Sequence, residues 1–182
     1  MIKGYTLLAY QDLLMIIVVE GIDGTGKTTV SKKVADSIGF NYRHYPVDYP
    51  HWYNIVQDKQ KAMALDLLSN AIDPYTNWIL DRYLPSSKVY GMGHLLYNTV
   101  KNLIPPVDYN ILLWCDPNVA YKRMLSRGLS ELDPSKDELI VYQQKYLDLG
   151  IWDIIINTTH KTTMEVYNGV KQVTDARYNN LL

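Results

Sequence analysis

MIIVVEGIDGTGKTTV, residues 15–30, decides how the rest of the chain is read. The Ile and Val run at 16–19 has the composition of a strand buried on both faces. It breaks into Gly21-Ile22-Asp23-Gly24-Thr25-Gly26-Lys27-Thr28, with the spacing G-x-x-x-x-G-K-[ST]. A helical pattern follows from Lys27 to Ile38, and Gly39 is placed to end it. A strand, a glycine loop and a helix in that order make a phosphate cradle. Glycine lets successive backbone N–H groups turn inward around an anion, and the helix N-terminus adds a favourable dipole.

Such a loop serves nucleoside triphosphates. Lys27 is placed to reach the β- and γ-phosphates, and the Thr28 hydroxyl to coordinate Mg²⁺. Gly21, Gly24, Thr25, Gly26 and Thr29 complete the predicted donor site. ATP and Mg²⁺ are therefore the expected cofactors. The loop alone does not separate a kinase from a GTPase or an ATPase motor. The chain has no N-K-x-D segment to read guanine, and a motor needs more chain than this. A kinase needs an acceptor site and a closing lid.

The 182 residues suffice for one domain. With 47% hydrophobic and 20% charged residues, the composition is that of a soluble globular chain, and a cytoplasmic location is expected. A net charge of −1 lacks the basic excess of a nucleic-acid binder. No apolar run approaches the ~20 residues of a membrane span. Cys115 stands alone, which excludes an internal disulfide framework and a multi-cysteine zinc site. Residues 1–14 show neither a clean apolar core nor a small-residue cleavage site. They read as an N-terminal extension to a single domain over residues 15–182.

Short apolar runs at 16–19, 40–44, 78–80, 109–114 and 152–156 alternate with segments long enough for helices. That alternation predicts a five-stranded parallel α/β sheet with helices on both faces. Asp116-Pro117 reads as a cap and first residue of a helix through Arg127, stopped by Gly128. Ser135 and Glu138 fit a capping box, with Leu139, Tyr142, Tyr146 and Leu149 on one face of the following helix. A last helix is predicted over 164–177.

The second informative stretch is Asp81-Arg82-Tyr83-Leu84-Pro85-Ser86-Ser87-Lys88-Val89-Tyr90-Gly91, at the end of the third apolar run. An acid there can hold a metal-bound water, and an arginine can grip a phosphate bidentately. An ordinary ion pair at a strand end fits the spacing equally well. Asp116 competes with Asp81 for the metal but reads better as a helix cap.

E-G-I-D-G-T-G-K-T-T together with D-R-Y-x-x-S-S-x-x-Y resembles the thymidylate kinase family of P-loop nucleoside monophosphate kinases. Residues 111–128 and 131–149 resemble that family's fourth strand with its helix, and its lid with the helix after it. The resemblance implies the three-layer P-loop kinase fold, a short lid at about 128–138 and a homodimer. It implies phosphorylation of dTMP to dTDP, a small nucleotide being the partner. It places Asp23 near the acceptor's sugar and phosphate, Asp81 near the metal and Arg82 on the acceptor phosphate. Tyr90 would pack on the acceptor sugar with Ser87 nearby. Arg123 and Arg127 would touch adenine or the donor phosphates, and Lys136 is the lid's cation.

The chain departs from the family pattern on the acceptor side. Tyr45-Pro46-Val47-Asp48 stands where the family often carries an arginine. The helix at 63–70 has neither the phenylalanine that stacks on the base nor the arginine that reads it, and the lid has no arginine. Tyr45, Tyr49, Trp52 and Tyr53 are candidates for a rebuilt base site. Three readings stay open: a deoxynucleoside monophosphate kinase, a P-loop kinase for another acceptor (a deoxynucleoside, a modified nucleotide or a DNA base), and a nucleotide-binding regulator.

Overall fold

Strand β1 (Ile16–Glu20) is buried along its whole length. Its side chains alternate between two cores: Ile16 and Val18 on one face, Ile17 and Val19 on the other. This is the computed structural model of the chain; it describes residues 14–46, 50–130 and 133–179. Around β1 stand β2 (Asn41–His44), β3 (Trp78–Asp81), β4 (Tyr109–Trp114) and β5 (Ile154–Asn157). All pair in parallel, in the order β2-β3-β1-β4-β5. Parallel neighbours require crossovers, and the helices that supply them cover both faces. This is the three-layer fold the sequence predicts.

On one face, α1 (Lys27–Ile38) and α8 (Thr163–Asn179) bury Val30, Val34, Val166 and Val170 against Ile79, Ile111 and Leu113. On the other lie α3 (Lys59–Ser69), α4 (Leu84–Val89), α5 (His94–Lys101), α6 (Pro117–Arg127) and α7 (Lys136–Asp148). The short α2 (Pro50–Val56) adds Trp52 and Val56 to that second core. No described helix is long and apolar enough to cross a membrane.

Caps read from sequence form as predicted. Asp116 accepts from Asn118 N and Val119 N at the start of α6, and Ser135 with Glu138 closes a full capping box on α7. Gly39 ends α1 in the left-handed region at φ 73°. Strand β5 begins two residues later than predicted. Trp152 instead donates Nε1 to the Tyr146 carbonyl at 2.7 Å, and the Asp153 carboxylate accepts from Asn110 N at 2.7 Å. Residues 1–13, Val47, Asp48, Tyr49, Glu131 and Leu132 lie outside the described residues, and with them most of the extension and part of the lid segment.

Candidate active site

With β1 between β3 and β4, the sheet's topology switches at β1, and ligands of open α/β sheets bind at the carboxyl ends beside such a switch. The glycine loop leaves β1 at that point. Gly24 is held at φ +80°, and a β-carbon on it would stand 2.4 Å from the Ala120 carbonyl oxygen of α6. The loop therefore packs backbone to backbone on α6, which only glycine permits. Thr25 Oγ1 and Lys27 Nζ both donate to the Ile22 carbonyl, at 2.9 and 2.7 Å. Burial and the Arg82 charge together pull the Lys27 ammonium down to about 8, against the attraction of Asp23, Asp81 and Glu20. A buried ammonium whose charged form is disfavoured gains from the approach of a phosphate.

A cavity of about 250 Å³ opens here, lined by Asp23, Lys27, Thr28 and Thr29 of the loop side and by Arg123 and Arg127 of α6. Arg123 is largely occupied. It donates through Nη2 to the carbonyls of Thr158 and Thr159 at 2.8 and 3.2 Å, and through Nη1 to the Gly24 carbonyl at 3.4 Å. It thereby fastens the loop after β5 to the glycine loop. Arg127 pairs with Asp133 at 3.1 Å, at the base of the predicted lid. Lys136 is exposed in the first turn of α7 and does not line the cavity.

The β1–β3 register sets Asp81 opposite Val19, so Asp81 emerges beside the loop. Its Oδ2 accepts from Thr28 Oγ1 at 2.5 Å and from Tyr42 OH at 3.2 Å. His44 Nδ1 stands 2.8 Å from the same oxygen, set there by the pairing of His44 with Asp81 across β2 and β3. Burial works to raise the Asp81 carboxyl, but the His44 hydrogen bond and the Lys27 charge outweigh it and hold it below the usual range. Asp81 Oδ1 is buried with no hydrogen-bond partner among the described residues. A hydroxyl and a carboxylate with an unused oxygen are the hard donors that Mg²⁺ takes alongside phosphate and water, so the residues fit that ion.

Arg82 sits in the left-handed region at φ 67°, a backbone cost of about 1–2 kcal/mol for a residue with a β-carbon. The turn sends its side chain under the loop, where it is 2% exposed. Nη2 donates to Asp23 Oδ1 at 2.6 Å; Nη1 meets Tyr90 OH and Tyr146 OH, both at 3.1 Å, and Ser86 Oγ at 3.4 Å. Burial works to raise Asp23, yet Arg82 and Lys27 bring its carboxyl down to about 2. Tyr90 OH also donates to Asp23 Oδ2 at 3.3 Å, and its ring lies 4.6 Å from that of Tyr142.

Three members of this cluster, Glu20, Ser86 and Tyr146, were not among the site residues predicted from sequence. Glu20, the last residue of β1, is fully buried and takes Tyr83 N and Ser86 N on Oε1, and Ser86 Oγ and Tyr146 OH on Oε2. Burial raises its carboxyl, with the Ser86 hydrogen bond and the Arg82 charge pulling the other way. Tyr146 was read only as an apolar-face residue of α7. A glutamate directly before the first loop glycine was the available signal for Glu20. The predicted Ser87 is buried with its Oγ unpartnered among the described residues and does not line the cavity. Of the candidate base-site aromatics, Tyr45 is spent on the Asn70 carbonyl at 2.7 Å, Trp52 is half-buried and Tyr53 is exposed.

A probable thymidylate kinase of Methanocaldococcus jannaschii is 30% identical to the chain over 178 residues, covering 86% of this chain and 93% of that protein. The chain belongs to the thymidylate kinase family. A cytidylate kinase of the same organism is 26% identical over 187 residues, covering 88% of this chain and 98% of that one. Among solved structures, thymidylate kinase from Candida albicans superposes with a TM-score of 0.70 at 18% identity, covering 91% of this chain and 93% of its own. Deoxyadenosine kinase from M. mycoides superposes with a TM-score of 0.63 at 19% identity, covering 89% and 100%. No protein-family model matches the chain. Members of the thymidylate kinase family are ATP-dependent nucleotide kinases, and the fold, the loop and the cavity of this chain are those of such an enzyme.

Proposed function

We propose that the chain transfers the γ-phosphoryl group of ATP to the phosphate of a deoxynucleoside monophosphate, with dTMP first among the acceptors. One observation carries the reading: Asp81 and Arg82, adjacent in sequence, reach two different residues of the glycine loop, Thr28 at 2.5 Å and Asp23 at 2.6 Å. A donor loop and a phosphate-gripping arginine thus share one seam. The named relatives, thymidylate and cytidylate kinases, agree with a nucleoside monophosphate acceptor.

In this reading the loop N–H groups and Lys27 hold the β- and γ-phosphates, and Thr28 and Asp81 hold Mg²⁺. When bound, Mg²⁺ neutralises charge that develops on the phosphate oxygens. Arg82 exchanges Asp23 for the acceptor phosphate and brings one of its oxygens in line with the γ-phosphorus. A bond forms from that oxygen to the γ-phosphorus while the β–γ bridging P–O bond breaks, and ADP leaves. Tyr90, whose ring backs Arg82 at 5.1 Å, would crowd a 2′-hydroxyl of the acceptor. The Arg127–Asp133 pair would tether the lid side of the site to α6.

The test is turnover of ATP with dTMP, dUMP, dCMP, dGMP, dAMP and thymidine in parallel. Transfer to dTMP is expected, and Arg82→Ala should lower kcat/KM for it by on the order of a hundredfold or more with little change in ATP binding. Transfer to thymidine but not to dTMP would move the protein to the nucleoside kinases.

A further inference from the structure

We infer that Glu20 and Tyr146 are positioning residues for the acceptor: Glu20 orients the Ser86 and Tyr146 hydroxyls so that their lone pairs hold one half of the Arg82 guanidinium, and Tyr146 ties that half to the helix behind the lid. The inference rests on the acceptor role proposed for Arg82.

The argument is one of hydrogen positions. A carboxylate only accepts hydrogen bonds, whereas a hydroxyl has one hydrogen to give and lone pairs to receive. Ser86 Oγ lies 2.5 Å from Glu20 Oε2 and gives its hydrogen there. The Tyr146 hydrogen can go to Glu20 Oε2 at 3.2 Å or to Ser86 Oγ at 2.8 Å, in either case away from Arg82. Both oxygens therefore turn lone pairs toward Nη1. Tyr90 repeats the pattern, donating to Asp23 and receiving from Nη1.

The two ends of the guanidinium consequently differ. Nη1 is held by hydroxyls inside the protein, of which Tyr146 and Ser86 are fully buried or nearly so. Among the described residues Nη2 is held by Asp23 alone, whose side chain is 23% exposed and lines the cavity. An incoming phosphate can compete for the second end without disturbing the first. Glu20 also fixes where these groups stand, because its Oε1 binds the backbone N–H groups of Tyr83 and Ser86 at the start of α4. Tyr146 belongs to α7, which opens at the Ser135 cap within the predicted lid segment. A movement of the lid helix is thereby felt at the arginine.

Glu20→Gln replaces an acceptor with a donor and turns the hydroxyl hydrogens toward Arg82; Tyr146→Phe removes one lone pair and keeps the ring against Trp152. In both variants of the full chain, KM for dTMP at saturating ATP should rise about tenfold, the loss of one hydrogen bond to a charged group, with KM for ATP within about twofold. The ¹H–¹⁵N side-chain signal of Arg82, assigned by its absence in Arg82→Lys, should shift in both. Unchanged dTMP parameters with an unmoved Arg82 signal overturn the inference. So does a parallel rise in both KM values accompanied by a lower melting temperature, the mark of general loosening. Should Glu20→Gln fail to fold, Tyr146→Phe carries the test. If the wild-type chain turns over no monophosphate, the functional reading fails, and the Arg82 signal alone decides the positioning: a shift supports it, no shift overturns it.

Discussion

At Asp23 one carboxylate serves two purposes, filling the hand of a buried arginine and lining the cavity beside the glycine loop. Its pKa drops from 3.8 to about 2, mainly because Arg82 and Lys27 outweigh the cost of burial. A group depressed in the folded state stabilises the protein above its unfolded value and loses that contribution as pH falls through the folded one. The shift corresponds to about 2 kcal/mol. Asp23→Asn should thus be less stable than the wild type by about 2 kcal/mol at neutral pH, with the gap closing between pH 4 and pH 2. Urea titrations of the two proteins across that range measure it. A gap independent of pH would mean that the pair with Arg82 contributes nothing as a charge pair.

Among the elements, those with local signals were legible and those held from afar were not. Helix α1 runs from Lys27 to Ile38 as read, because its start is the loop and its stop is Gly39. Asp116, Gly128 and the Ser135–Glu138 box likewise fixed α6 and α7 from within a few residues. Helix α4 has Pro85 in its first turn but no side-chain cap of its own. Its first N–H groups are capped by Glu20, 66 residues from Ser86 in the chain, so its cap could not be read from the residues beside it. For the same reason Asp81 and Arg82 could be named from their motif, while Glu20 and Tyr146 could not be joined to them. The glycine loop offers a test at this scale. Gly24→Ala meets the Ala120 carbonyl in addition to an unfavourable φ, whereas Gly26→Ala, at φ +90°, meets nothing within 4 Å. Gly26→Ala should cost about 1–2 kcal/mol for the backbone alone, and Gly24→Ala about 1–3 kcal/mol more for the overlap with α6. Equal losses in thermal unfolding would show that the loop does not pack on α6 as described.

For the whole molecule, the strand order β2-β3-β1-β4-β5 does what no sequence window can. It brings residues 20–29, 81–90, 123–127 and 146 to one end of the sheet. The alternating apolar runs made the layers legible, since burial on both faces follows from composition. A base site could not be read from sequence, because a planar ligand can be met by aromatics from any surrounding element, and Tyr45, the most buried of the described candidates, holds α3 to β2 through Asn70. A site assembled from so many elements couples ligand binding to global stability. A non-hydrolysable ATP analogue with Mg²⁺, at a hundredfold excess over its Kd, should stabilise the fold by about 2.7 kcal/mol. For a chain of this size that is a rise in Tm of roughly 5–10 °C. Lys27→Ala, which removes the buried ammonium but leaves both cores intact, should retain the unliganded Tm to within a few degrees and lose more than about half of the ligand-induced rise. A full rise in the variant would place the triphosphate elsewhere than on the glycine loop, because binding there without the lysine leaves the β- and γ-phosphates facing a site short of its main charge.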